Sequence, residues 1–331
     1  MMTKRERVQA VLGSTRPDCP PVSCWHHFPP DQISGQAAVD AHLRHLETYD
    51  FDFLKIMNDH PYPRGEVTTV QSVADLRKIK PQPGDAGPLA GQLDIVRILA
   101  RRLAPDVPTC TTVFNTWATL RQLTQPPSDR HGPPKLDGTD ERDEVIATLL
   151  KEDRDAVQAA LLAIAQTQVA FVLECLKAGA EGIFLSVRDD WVDRPANGKD
   201  TYRDLVRPAD LMILEAAASA SLNILHICGR PLDFKGFAQY PVHVLNWADR
   251  AAGPSIAYAR DRVKPAIAGG VDNLNTLPNG SAEDCAAQVH DAIRQAKDHP
   301  LMITPGCTFD GQAVPPANIH AMVRAARSGY A

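Results

Sequence analysis

The chain has 331 residues, 44% of them apolar and 23% charged, with a formal net charge of −5. These proportions are ordinary for a globular protein, and the length supports a large core in one big α/β domain or two smaller ones. Lys and Arg are scattered among acids with no basic face, which argues against a nucleic-acid partner.

The opening Met1–Arg7 is basic but has no apolar h-region, so no secretory signal is expected. Thr3 with Glu6 forms a capping-box pattern that starts a short helix over 3–12. Pro17 to Pro21 ends it. Short apolar runs then alternate with helical stretches. A strand is expected over 21–26, a helix over 36–47, a strand over 51–57, a helix over 89–103 and a strand over 109–115. The stretch 125–143 is rich in Pro, Asp and Gly and reads as an inserted loop, followed by helices over 144–151 and 154–178. The most apolar part of the last helix is interrupted by Gln166, Gln168 and Glu174, which reads as too polar to span a bilayer. Further strands are expected over 182–187, 222–227, 242–247, 266–271 and 301–304, with a second insertion over 188–199. Eight apolar strands separated by helical stretches predict a (β/α)₈ TIM barrel, one domain over residues 1–331. A doubly wound open sheet gives similar local signals. The strand count, the length and the polar residues at strand ends favour closure.

Seven cysteines are present, at 19, 24, 110, 175, 228, 285 and 307. An odd count without a signal sequence argues against a disulfide framework and for a cytoplasmic protein with no membrane partner. Cys175 and Cys285 fall in helical patterns and read as small core residues. Cys228 and Cys307 instead sit at strand ends beside glycines. In Leu222–Gly229, His226 and Cys228 are two apart and so share one face of a strand. Imidazole and thiolate together suit zinc. Cys307, in Thr304-Pro305-Gly306-Cys307-Thr308, is the best third ligand. Three ligands and one open position make a catalytic arrangement.

Barrel active sites lie at the C-terminal ends of strands, where His26, Asn58, Asn115, Asp189, Asn246 and Asp272 also fall. Asp189 or Asp190 can supply a fourth ligand, or can be a solvated loop residue or a helix cap. Asn246 and Asp272 can orient His226. Trp25, His26 and His27 form a second constellation, either substrate contacts or an aromatic plug. Asn58, Asn115 and Tyr202 are further pocket candidates. Gly269-Gly270 lacks the residues of a phosphate loop and reads as close strand packing.

Taken together, these residues resemble the uroporphyrinogen decarboxylase superfamily. The likeness covers nearly the whole chain. It includes Lys4-Arg5-Glu6-Arg7-Val8, Asp50-Phe51-Asp52-Phe53-Leu54-Lys55, Leu225-His226-Ile227-Cys228-Gly229 and Asn246-Trp247. It continues through Gly269-Gly270-Val271-Asp272, Gly306-Cys307 and Pro316-Ala317-Asn318-Ile319. The resemblance implies a (β/α)₈ barrel. The decarboxylases carry an arginine-rich segment after the first strand, whereas Trp25-His26-His27-Phe28-Pro29-Pro30 contains no arginine. The His-x-Cys pair and distant Cys are similar to those of the zinc-dependent methylcobamide:coenzyme M methyltransferase branch. That likeness implies Zn²⁺ at His226, Cys228 and Cys307. It also implies methylcobalamin on a separate corrinoid protein and a small-molecule methyl acceptor. Coenzyme M, homocysteine, another thiol and a folate stay open, and zinc favours a thiol. A metal-independent decarboxylase and a non-catalytic barrel that binds metal or corrinoid are the alternatives.

Overall fold

In a computed structural model of the protein, seven parallel strands form one curled sheet in chain order. They are β1 (Leu54–Ile56), β2 (Thr109–Phe114), β3 (Ile183–Arg188), β4 (Ile224–Cys228), β5 (Val244–Trp247), β6 (Ala266–Val271) and β7 (Leu301–Pro305). The structure describes residues 1–127, 140–230 and 232–330. Helices connect successive strands, as parallel pairing requires. The result is a TIM-barrel-like α/β fold.

Alternation along the strands divides the apolar residues into two sets. Leu54, Ile56, Val113, Leu185, Leu225, Leu245, Ile267 and Ile303 join the large cluster under the helices. Phe53, Met57, Cys110, Phe184, Ile224, Val244, Ala268 and Met302 form a second cluster on the inner face, with Trp25. Both faces are therefore buried, which is why the strands read as continuous apolar runs. Register places Ser186, His226, Asn246, Ala268 and Met302 in one row across β3 to β7. This row sits one step below the rim where the site forms.

The first expected strand, over 21–26, is not a strand. It is reduced to two parallel bridges, Val22 to Ile303 and His26 to Phe309. The reason is local. Pro20 and Pro21 have no N–H to give to a ladder. Val22 N–H donates to the Asp52 carboxylate at 2.7 Å, and Ser23 Oγ donates to Phe53 O at 2.8 Å. Backbone bonds still run both ways: Ile303 N to Pro21 O at 2.9 Å, and Asp52 N to Val22 O at 2.8 Å. Backbone and side-chain bonds together thus complete the seam between β7 and β1.

Of the loop expected over 125–143, residues 128–139 lie outside the described residues. The stretch 189–200 is a run of turns and bends, and the helices Glu141–Glu152 and Arg154–Lys177 follow the expected pattern. The latter is the one described helix long and apolar enough to cross a membrane, with mean hydropathy 1.7 over its best window. Of its polar interruptions, Gln166 is exposed, Glu174 pairs with Lys177, and Gln168 is a packing contact. Buried Gln168 donates to Phe114 O at 2.6 Å and to Thr119 Oγ1 at 3.0 Å.

Candidate metal centre

β4 and the end of β7 carry the centre. His226 projects from the inner face of β4, and Cys228 follows two residues later at the strand's end. Cys307 lies just past β7, after the close turn at Gly306. A Cβ at Gly306 would stand 2.4 Å from Ala248 Cα, so only glycine lets this segment pass. The ligand atoms of His226, Cys228 and Cys307 all lie within 4.8 Å of one another. Cys307 Sγ is 3.3 Å from His226 Nε2 and 4.0 Å from Cys228 Sγ. His226 is buried, whereas both cysteines are partly exposed, so the centre faces outward from the rim.

Asn246, beside His226 in the row, determines which ring nitrogen is available. Its Nδ2 donates to Ala268 O, Thr304 Oγ1 and Pro305 O at 3.0, 3.2 and 3.2 Å. Its Oδ1 is therefore the atom that faces the ring, 2.6 Å from Nδ1. Nδ1 must carry the proton, and the Nε2 lone pair is left toward Cys307. Asn246→Leu should keep the fold but release the ring, lowering zinc affinity about 10- to 100-fold in a chelator competition.

The two thiols share charge unequally. The contact with Cys228 holds the Cys307 thiol well below its ordinary value. The same contact and burial push Cys228 well above. Arg188 adds a donor, Nη1 lying 3.8 Å from Cys228 Sγ. Its guanidinium is clasped by both oxygens of Asp190 at 2.5 Å and lies 3.9 Å over the Trp191 ring.

The remaining candidates are placed differently. Asp190 is committed to Arg188 and also accepts from Arg230 N–H at 3.3 Å. Asp189 accepts from Asp233 N–H at 2.7 Å, and burial raises its carboxyl to about 6. Neither joins the convergent group, although Asp189 Oδ1 is buried without a partner. Asp272 accepts from Leu274 and Asn275 N–H in its own turn, at 2.8 and 3.3 Å. Asn115 caps the helix Thr116–Leu123 through Ala118 N–H at 3.0 Å. Its Nδ2 donates to Tyr202 Oη at 3.3 Å, and Tyr202 and Tyr240 both donate to buried Asp210. Burial raises Asp210 to about 7. Asn58 bridges Thr112 O and His60 N–H at 3.3 and 3.2 Å.

Trp25 points inward, edge-on to Phe184 with centroids 5.1 Å apart. His26 and His27 line a separate cavity of about 360 Å³ with Arg44, Tyr49 and Gln312. His27 pairs with Asp59 at 2.6 Å. None of His226, Cys228, Cys307, Asp189 and Asp190 lines this cavity.

Two residues of the centre's surroundings escaped the sequence reading. Arg188 ends β3 in register with Cys228. Lys55 lies in β1 and faces inward, in register with Cys110. The available signal was a lysine inside the otherwise apolar stretch 53–57.

Residues 43–329 match the uroporphyrinogen decarboxylase (URO-D) family, and the chain belongs to it. No curated protein matches the sequence. Among solved structures, a methyltransferase from Methanosarcina mazei aligns over 100% of both chains at 16% identity, with a TM-score of 0.75. A B12-independent methionine synthase from Shewanella sp. W3-18-1, solved with selenomethionine, aligns over 71% of this chain and 65% of its own at 12% identity, with a TM-score of 0.46. The first of these shares the fold over its whole length.

Proposed function

We propose that the chain is a cytoplasmic zinc-dependent methyltransferase that passes a methyl group from methylcobalamin, carried by a corrinoid protein, to a small-molecule thiol. The observation that carries this reading is the convergence of His226 Nε2, Cys228 Sγ and Cys307 Sγ at the rim of the sheet. Two sulfurs and one nitrogen are a zinc donor set. With Zn–S near 2.3 Å and Zn–N near 2.05 Å, a tetrahedral site separates its ligands by roughly 3.8 and 3.6 Å. Two of the separations, 4.0 and 3.3 Å, lie close to these values, and the third pair, His226 and Cys228, lies within 4.8 Å.

His226, Cys228 and Cys307 would hold the metal and leave one position for substrate. When bound, zinc favours the thiolate of an incoming thiol over its protonated form. The thiolate is the attacking species in methyl transfer. The chain's own residues prepare for it. Asn246 holds the His226 proton on Nδ1. Arg188 places an N–H on Cys228, tempering the charge of that sulfur. Trp25 and Phe184 keep the floor of the centre apolar.

The test is S-methylation of 2-mercaptoethanol, homocysteine or coenzyme M from methylcobalamin by zinc-loaded protein. Product should form with zinc and disappear after chelation. Carbon dioxide release from a tetrapyrrole acid by the chelated protein would favour a decarboxylase instead. Zinc binding with neither reaction would leave a metal-binding barrel.

A further inference from the structure

Below the metal centre the inner face of the sheet is apolar, with one conspicuous exception. Lys55 is 4% exposed. Its ammonium meets Met57 Sδ at 3.2 Å, the Phe184 ring at 4.1 Å and the Trp25 ring at 5.4 Å. It makes no salt bridge with any described residue. A buried cation without a carboxylate is strongly disfavoured unless something else uses its field. Burial accordingly pushes this ammonium down to about 8, and Cys307 is the largest influence acting the other way.

The geometry says where that field is felt. Phe184, against which Lys55 rests, is itself stacked on His226, with centroids 5.3 Å apart and planes 24° apart. Lys55 is thus one aromatic ring away from a ligand of the centre. The charge balance says what it is for. Two thiolates and a neutral imidazole offset a divalent metal, so the centre alone is formally neutral. A third thiolate, in the open position, leaves it at minus one. Arg188 donates to Cys228, but the Asp190 carboxylate that clasps it cancels its charge, so the pair adds no net charge to the centre. Lys55 is the cation left over.

We propose that Lys55 is the counter-charge for an anionic ligand at the His226–Cys228–Cys307 centre, a positioning residue that favours a thiolate over a neutral donor in the open position. This rests on the zinc reading above. A charge at this range, in a medium of effective dielectric about 20, is worth about tenfold in affinity.

The experiment uses the full chain loaded with cobalt(II), whose absorption reports each ligand. 2-Mercaptoethanol, which binds as a thiolate, is compared with imidazole, which binds neutral. In Lys55→Met the affinity for 2-mercaptoethanol should fall about tenfold, read from the thiolate-to-cobalt charge-transfer band. Cobalt content and imidazole affinity should stay within about twofold, and the melting temperature should rise as an unpaired charge leaves the interior. Lys55→Gln repeats the comparison should the Met variant lose cobalt. Equal weakening of both ligands, no weakening of either, or loss of cobalt in both variants overturns the proposal. Failure of the wild type to bind cobalt overturns the metal reading instead.

Discussion

Replacing Cys307 with serine strips the metal and lowers thiol methylation by about 10³-fold or more, some 4 kcal/mol of transition-state stabilisation. Cys307 Sγ stands between the other two donors, 3.3 Å from His226 Nε2 and 4.0 Å from Cys228 Sγ. A serine hydroxyl there stays protonated and is a poor zinc ligand, so three ligands become two. Cys228→Ser should act alike. Cys285, buried elsewhere and touching Thr276 O at 3.6 Å, supplies the control: its serine variant should keep its metal. Elemental analysis of the three proteins, with initial rates beside it, checks the set. Retention of stoichiometric zinc in Cys307→Ser would remove Cys307 from the centre.

The largest effect on stability belongs to Asp52, which is not part of the candidate centre. Its carboxylate is fully buried and accepts from Val22 N–H at 2.7 Å, Arg327 Nη1 at 2.6 Å and Arg7 Nη1 at 3.2 Å. It thereby ties the first helix, the last helix and the irregular segment that completes the sheet's seam. Asp52→Ala leaves an N–H and two guanidinium groups without their shared acceptor. The expected loss is about 3–5 kcal/mol, the range for breaking a buried ion network by removing one partner. Arg7 keeps Asp18 at 2.7 Å, which holds the effect toward the lower end. Neighbouring Asp50 is the contrast. It pairs with Lys4 at 2.6 Å, but its side chain is 66% exposed. Asp50→Ala should cost about 0.2–1 kcal/mol. Urea denaturation separates the two cases, and equal losses would contradict the buried-clasp account.

Much of this architecture was legible in the residues, for physical reasons that also explain what was not. β3 to β7 are buried on both faces, so each stands out as a mainly apolar run, interrupted in β3, β4 and β5 by the inner-face residues Ser186, His226 and Asn246. The convergence at the centre was readable because His226 and Cys228 are two apart on one strand and Cys307 ends another. The segment 21–26 misled. Its apolar composition is that of a strand, but two prolines and the Asp52 carboxylate replace the ladder, and only tertiary contacts reveal that substitution. Strand-end position also failed to separate Asn246, which faces the next ring in its row, from Asp272, whose carboxylate turns back to its own loop. Local hydrogen bonding by Asp and Asn in turns competes with any role in a site. Lys55 and Arg188 were missed because long side chains reach a centre from strands that carry none of its ligands.

The most direct test of the central claim is zinc K-edge X-ray absorption on the purified, zinc-loaded protein. The account predicts one zinc per chain with two sulfurs at about 2.3 Å, one imidazole nitrogen at about 2.05 Å and one light-atom ligand that a substrate thiol replaces with a third sulfur. A shell of oxygen and nitrogen alone, or no zinc retained under reducing conditions, would contradict it.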